Sequence, residues 1–277
     1  MSSSNRLGMS LVWSELWVLF RRWRTLAMLG AIALIPVFLA LAVYWSSDTL
    51  APGEGPPFLD RVSQNGLFVG YTSTILALPL FLPLTIGVVA GDTIAGEANQ
   101  GTLRYLLISP AGRIRLLITK FIGAIAFVIA GTATLMIAGA IIGAILFPVG
   151  PVTLISGDVI SVAESVWRMT LVAAYTTVSM LGLVAIGMFI STLTVVPVGA
   201  MAATVVLSGV SQILDNIPQL EVIHEFLFTH YWLGFVDLLR QPIDFASFAS
   251  NALLQLAYVV IFGALAYSRF ASKDILS

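Results

Sequence analysis

Six stretches of about twenty residues that hold no Asp, Glu, Lys, Arg or His limit what this chain can fold into, because such a stretch in helical form crosses the hydrocarbon core of a bilayer. They run over 27–45, 70–90, 121–147, 169–190, 196–214 and 252–268. The apolar runs are continuous and do not alternate, which argues against the strands of a membrane barrel. Composition agrees. Only 10% of the 277 residues are charged, against roughly 25% in a soluble domain. The expected fold class is an all-α membrane protein, a single transmembrane domain over 1–277 with six transmembrane helices. The first stretch is expected to stay as a span and not to be a cleaved signal. It is long, follows 26 other residues and lacks a small-x-small pattern at Trp45-Ser-Ser-Asp48.

Short loops rich in Lys and Arg stay in the cytoplasm. With six spans and a cytoplasmic N-terminus, Arg6, Arg21, Arg22, Arg24, Arg104, Arg113, Arg115, Lys120, Arg269 and Lys273 lie inside and only Arg61, Arg168 and Arg240 outside. Both termini are therefore expected on the cytoplasmic side of the cell membrane. Most acids fall outside, which adds little, because acids have a weak influence on topology.

Residues 9–25 precede the first span. At 3.6 residues per turn, Val12, Trp13, Leu16, Trp17, Leu19, Phe20 and Trp23 fall on one broad face, with Ser10, Ser14, Arg21 and Thr25 opposite. Three Trp and a cluster of Arg suit an amphipathic helix lying among lipid headgroups, as a plain anchor or as a connecting helix that also touches a cytoplasmic partner. Outside, 46–66 reads as an exposed polar connection, and a short amphipathic helix is expected near 148–168. Residues 215–251 are half apolar yet hold five acids. Their aromatic runs are too short to span and suit re-entrant or interfacial helices before the last span.

The segment with most information joins the second and third spans. A plain connection needs a handful of residues, whereas about thirty separate these two. A short helix through 93–100 is expected, continued over 102–108 and broken at Ser109-Pro110-Ala-Gly112, with the third helix starting near Arg113. Leu103, Leu106 and Leu107 form an apolar edge beside Arg104, and such a ridge outside the membrane implies a protein surface to dock on.

Asp92, Gly96-Glu97, Gly101-Thr102-Leu103, Leu106-Leu107, Ser109-Pro110, Arg113 and Lys120 are together similar to the inner loop of the type-2 permeases of ATP-binding-cassette (ABC) exporters. The resemblance extends to the amphipathic entry helix, the six-span layout, the half-apolar outer segment and Lys273-Asp274, though only the inner loop is specific. It implies that 92–110 is a cytoplasmic coupling helix seated in a separate ABC ATPase subunit. Asp92, Glu97, Gly101, Thr102, Leu103, Arg104, Leu107, Ser109 and Pro110 would form that contact, Glu97, Thr102 and Arg104 through polar groups and Leu103 and Leu107 by filling a cleft. Arg21, Arg22, Arg24, Arg113, Arg115 and Lys120 are read as headgroup and topology anchors. A second permease subunit, as homodimer or heterodimer, would complete the path.

Other chemistry finds little material. No Gly-x-x-x-x-Gly-Lys-Ser/Thr loop occurs, so ATP and Mg are expected on the partner and no cofactor on this chain. Without cysteine there are no disulfides or thiolate metal sites, and His224 and His230 do not form a His-Glu-x-x-His site. A near-neutral net charge of −1 gives no pull on nucleic acid. The expected role is a transport subunit, not an enzyme, exporting a hydrophobic or amphipathic compound such as a drug, peptide antibiotic or lipid. The alternative is a secondary transporter or channel not powered by ATP, against which the uncharged spans count. Gly139-x-x-x-Gly143 allows close helix contact. Pro36, Pro79, Pro83 and Pro197 are expected to kink helices. Thr85, Tyr175, Thr176, Thr177 and Ser179 are the candidate polar points of a substrate path.

The topology has a direct check. A cysteine introduced at Ser47 is expected to react with a membrane-impermeant thiol reagent added to whole cells, and one at Ser109 only after lysis. The reverse pattern overturns the orientation.

Overall fold

The computed structural model describes residues 3–46, 57–101, 113–154 and 156–272. Six helices, or helix pairs, are long and apolar enough to cross a membrane. The chain opens with α1 (Ser3–Arg21), which breaks at Arg22 into α2 (Trp23–Ser46). The short helix α3 (Pro57–Gln64) leads to α4 (Phe68–Ala77) and α5 (Phe81–Asn99), and the long α6 (Arg113–Leu146) follows. A small antiparallel hairpin, β1 (Val152–Thr153) and β2 (Val159–Ile160), stands where a short amphipathic helix was expected. Then come α7 (Val162–Ser179), α8 (Leu181–Leu193), α9 (Pro197–Asp215), the one-turn α10 (Glu221–His224) and α11 (Ala246–Ala271).

Two spans are broken inside the bundle. The expected 70–90 helix divides into α4 and α5 at Leu78–Leu80: Pro79 offers no N–H to the ladder, and the backbone leaves helical geometry at Leu80, whose φ is −135°. The freed Pro79 carbonyl accepts a hydrogen bond from Gln212 Nε2 at 2.9 Å. The expected 169–190 helix divides at Met180 into α7 and α8 without a proline. Here the Gly182 N–H leaves the helical ladder for Gln255 Oε1 at 3.1 Å, and the Ser179 carbonyl accepts from Trp232 Nε1 at 3.0 Å.

The expected coupling helix also differs. Residues 92–99 are not a separate helix but the last two turns of α5, since nothing between Val88 and Asn99 stops the helix. It ends at Gly101, whose φ of +70° is the left-handed conformation that closes a helix C-terminus at little cost for glycine. Thr102, Leu103, Arg104, Leu106, Leu107, Ser109 and Pro110 lie outside the described residues, as do Ser47, Lys273 and Asp274.

Helix contact is closest where α4 meets α6. Gly66 and Gly70 face Gly143 and Gly139: a Cβ on Gly139 would come within 2.6 Å of Gly70 Cα, and one on Gly143 would overlap the Gly66 backbone. Asn65 fixes the same corner by donating to the Gly150 carbonyl at 2.8 Å while its Oδ1 accepts from Leu67 N–H. Between α10 and α11, a turn and a 3₁₀ helix (Trp232–Leu239) bury Phe228, Trp232, Phe235 and Leu238 against the bundle, as befits an apolar segment too short to span.

The glycine contact is testable by melting the purified protein in detergent. Gly143→Ala is expected to destabilise by ~1–3 kcal/mol through overpacking. Gly263→Ala, with open space around it, is expected to be neutral or slightly stabilising.

Candidate functional site

The charged side chains that the sequence places next to spans gather at the end of the bundle that carries α1. Lys120, on the second turn of α6, sits between two carboxylates. Its Nζ donates to Glu97 Oε1 at 2.8 Å and to both Glu15 oxygens at 2.9 and 3.1 Å. Its side chain is 12% exposed, so water screens these pairs only in part. A turn and a half back along α5, Asp92 receives Arg24, which bonds Oδ2, while Arg22 Nη1 lies 3.8 Å from the same oxygen. Both groups line one shallow depression with Leu19, Val89 and Gly123. The three acids and three bases balance in charge, and the six residues come from α1, α2, the break between them, α5 and α6.

The placement of Glu15 follows from how α1 packs. The single broad apolar face of the sequence reading is divided in two. Val12, Leu16, Leu19 and Phe20 are half-buried toward the bundle, whereas Trp13, Trp17 and Trp23 are exposed. Glu15 stands on the half-buried stripe between Leu11 and Leu19, one turn from each. The signal for this in the sequence is a carboxylate on an apolar stripe, which needs a cation from elsewhere in the chain. Arg21 stacks on Trp17 with its guanidinium carbon 5.3 Å from the ring centre.

The remaining candidates fall into place around this cluster. Glu97, expected to face a partner, is bonded within the chain to Lys120. Arg113 donates to the Phe270 and Ala271 carbonyls and so satisfies the C-terminus of α11. Arg115 is half-buried on α6. One residue before Asp92, Ser191 of α8 bonds to the backbone of α5. The Ser191 hydroxyl donates to the Gly91 carbonyl at 2.7 Å and accepts from the Ile94 and Ala95 N–H groups at 3.0 and 2.8 Å. A side-chain oxygen thus stands between the Gly91 carbonyl and the Ala95 amide, which a regular helix would join directly.

The five hydroxyls offered as a substrate path are engaged in packing. Tyr175 Oη donates to the Tyr231 carbonyl at 2.6 Å, and Ser179 Oγ accepts from Asn251 Nδ2 at 2.7 Å. Both hold the 226–239 segment or its neighbours. Thr177 meets Thr132 at 3.0 Å across α6 and α7, and Thr85 bonds back to the Phe81 and Leu82 carbonyls. Thr176 is buried with no hydrogen-bond partner, a property it shares with Thr72.

At the opposite end Arg168 is fully buried. It donates to Glu164 and Gln241 and to the Leu238 and Arg240 carbonyls, closing the C-terminus of the 3₁₀ helix. His230 Nδ1 lies 2.6 Å from Asp215 Oδ1, and His224 Nε2 lies 3.1 Å from the Ile217 carbonyl. Among the described residues no three His, Asp or Glu side chains are grouped closely enough to hold a metal ion.

A search of curated proteins finds no match to this chain. A family model does match, over residues 32–276, which begins inside α2 and runs through α11, leaving α1 and the first turns of α2 outside. The chain belongs to that family, described as protein of unknown function (DUF2705).

Proposed function

We propose that this chain is the permease subunit of an ATP-driven ABC exporter in the cytoplasmic membrane, with both termini inside. A separate ATPase subunit binds ATP and Mg, and a second permease copy or relative completes the path. The observation that carries this reading is the neutral six-residue ion cluster. It braces α1, α2, α5 and α6 at the ends from which the 102–112 segment leaves and to which it returns.

A segment that docks on a moving ATPase can do work on the membrane part only if its two roots are stiff. The Glu97–Lys120 pair ties those two roots to each other across the segment, and Glu15 adds α1 to the same block. Within this reading Leu103 and Leu107 fill the cleft of the ATPase, Thr102, Arg104, Ser109 and Pro110 shape the contact, and Gly101 turns the chain out of α5. Glu97 is reassigned from a direct contact to a brace. The cargo is a hydrophobic or amphipathic compound, in keeping with spans that present few charges. Within this reading the ATP site lies on the partner, because this chain carries no nucleotide loop.

Two measurements separate the parts of this reading. Leu103→Asp with Leu107→Asp is expected to abolish capture of the cognate ATPase and ATP-dependent transport while membrane insertion is kept. Transport that continues without the ATPase would establish a secondary transporter or channel instead. Lys120→Met leaves two carboxylates facing each other and is expected to destabilise by roughly 2 kcal/mol, less than for a fully buried pair because water reaches both acids. It is also expected to lower transport per captured ATPase, whereas a Lys120→Met variant with unchanged coupling would remove the brace from the mechanism.

A further inference from the structure

A groove opens beside the ion cluster, between the starts of α2 and α9 and over the last turns of α5. One wall carries Arg22, Trp23 and Arg24, the other Pro197, Val198 and Met201, and Asp92 lies at the floor. We infer that this groove binds an anionic phospholipid, with the phosphate at Arg22 and Arg24 and an acyl chain descending along α5.

Three independent features of the groove suit that occupant. The first is charge. Both arginines share a single carboxylate oxygen, and at 3.8 Å the Arg22–Asp92 pair is too long for a hydrogen bond. Around Asp92 two positive charges meet one negative, the balancing extra carboxylate lying farther along the cluster at Lys120, and each guanidinium has further N–H donors to give. The second is the start of α9. Its N-cap residue, Val196, makes no side-chain cap, so the first-turn N–H groups at Val198 and Gly199 add partial positive charge at the groove wall.

The third is what lies below. Leu84, Val88 and Asp92 follow one another at four-residue spacing on α5, so the acid heads a strip that continues as exposed Leu84 and half-buried Val88. Val198, on the opposite wall, is likewise exposed. A polar, cationic mouth above an apolar strip matches a lipid headgroup with its chain, whereas a soluble phosphate would use only the mouth. Trp23, 83% exposed, stands at the boundary where its ring is at home among headgroups.

The test is native mass spectrometry of the full-length protein in detergent, titrated with phosphatidylglycerol or phosphatidylcholine of the same chains. Phosphatidylglycerol is expected to be retained the more tightly. Arg22→Gln with Arg24→Gln is expected to weaken that retention by roughly thirtyfold, from two cations near a lipid surface. Because that variant also disturbs Asp92, Val198→Glu provides a second one. It sets a carboxylate at the exposed mouth, leaves the ion pairs intact and is expected to weaken phosphatidylglycerol retention while phosphatidylcholine is unaffected. Arg269→Gln, at the same end but outside the groove, is expected to change nothing.

Equal retention of the two lipids, or an equal loss in Arg269→Gln, would overturn the assignment in favour of diffuse attraction. Competition by glycerol 3-phosphate at the same concentration as the lipid would overturn it by showing that the chains add nothing. If Val198→Glu kept the lipid but lost capture of the ATPase, the groove would be a protein-docking surface and the lipid assignment would fall.

Discussion

A backbone N–H or C=O that faces hydrocarbon without a partner costs several kcal/mol, yet this chain breaks two of its spans within the bundle and has a side chain bonded into the ladder of α5. At each place the side chain comes from a distant part of the sequence. Gln212 of α9 takes the Pro79 carbonyl, Gln255 of α11 takes the Gly182 amide, and Ser191 of α8 stands between Gly91 and Ala95 of α5. Gln255 in turn donates to the Phe228 carbonyl at 2.8 Å and to Asn251, which reaches Ser179. The polar residues inside these apolar helices are thus the complements of the breaks. Removing one would leave a buried backbone group unsatisfied and reopen the join it closes.

The same requirement fixes the 226–239 segment. It is held by Tyr175, Trp232 and Gln255 on the bundle side and by Arg168 at its C-terminus, where a buried cation meets orphan carbonyls. A guanidinium suits that place because its planar donors reach two carbonyls and a carboxylate at once. These anchors, with Tyr258 on the Phe226 carbonyl and Ser211 on Thr229, explain why an apolar segment too short to cross a membrane still packs as core.

Much of this was legible in the sequence where the cause is local. Unbroken apolar runs announce six spans, Pro79 announces the first break, and Gly139-x-x-x-Gly143 marks a face that packs closely, here against Gly66 and Gly70. What stayed hidden depends on partners far along the chain. Nothing next to Met180 predicts a break, because its cause is Gln255, 73 residues from Gly182. Lys120 reads as an ordinary boundary cation until Glu15, 105 residues away, arrives beside it. Residues 92–99 read as a loop helix because charge and glycine were taken as a boundary, although a helix tolerates both once each charge finds a counter-ion. Of the candidate site, the residue types were therefore visible and the pairing was not.

Charge pairing and the Ser191 contact meet at one place, and that sets which part of the molecule can move as a unit. The last two turns of α5 are joined to α1 and α6 through Lys120, to α2 through Asp92, and to α8 through Ser191. At the start of that block a hydroxyl from α8 is bonded to the Gly91 carbonyl and to the Ile94 and Ala95 amides. A pull on the 102–112 segment would accordingly be felt first by the short block from Asp92 to Asn99 and its ionic partners. The upper part of the bundle, locked by backbone contact between Gly66 and Gly143, would resist. Under the proposed function, this would place a braced foot at the roots of that segment. A foot without its ion pairs would dissipate the same pull in the loop.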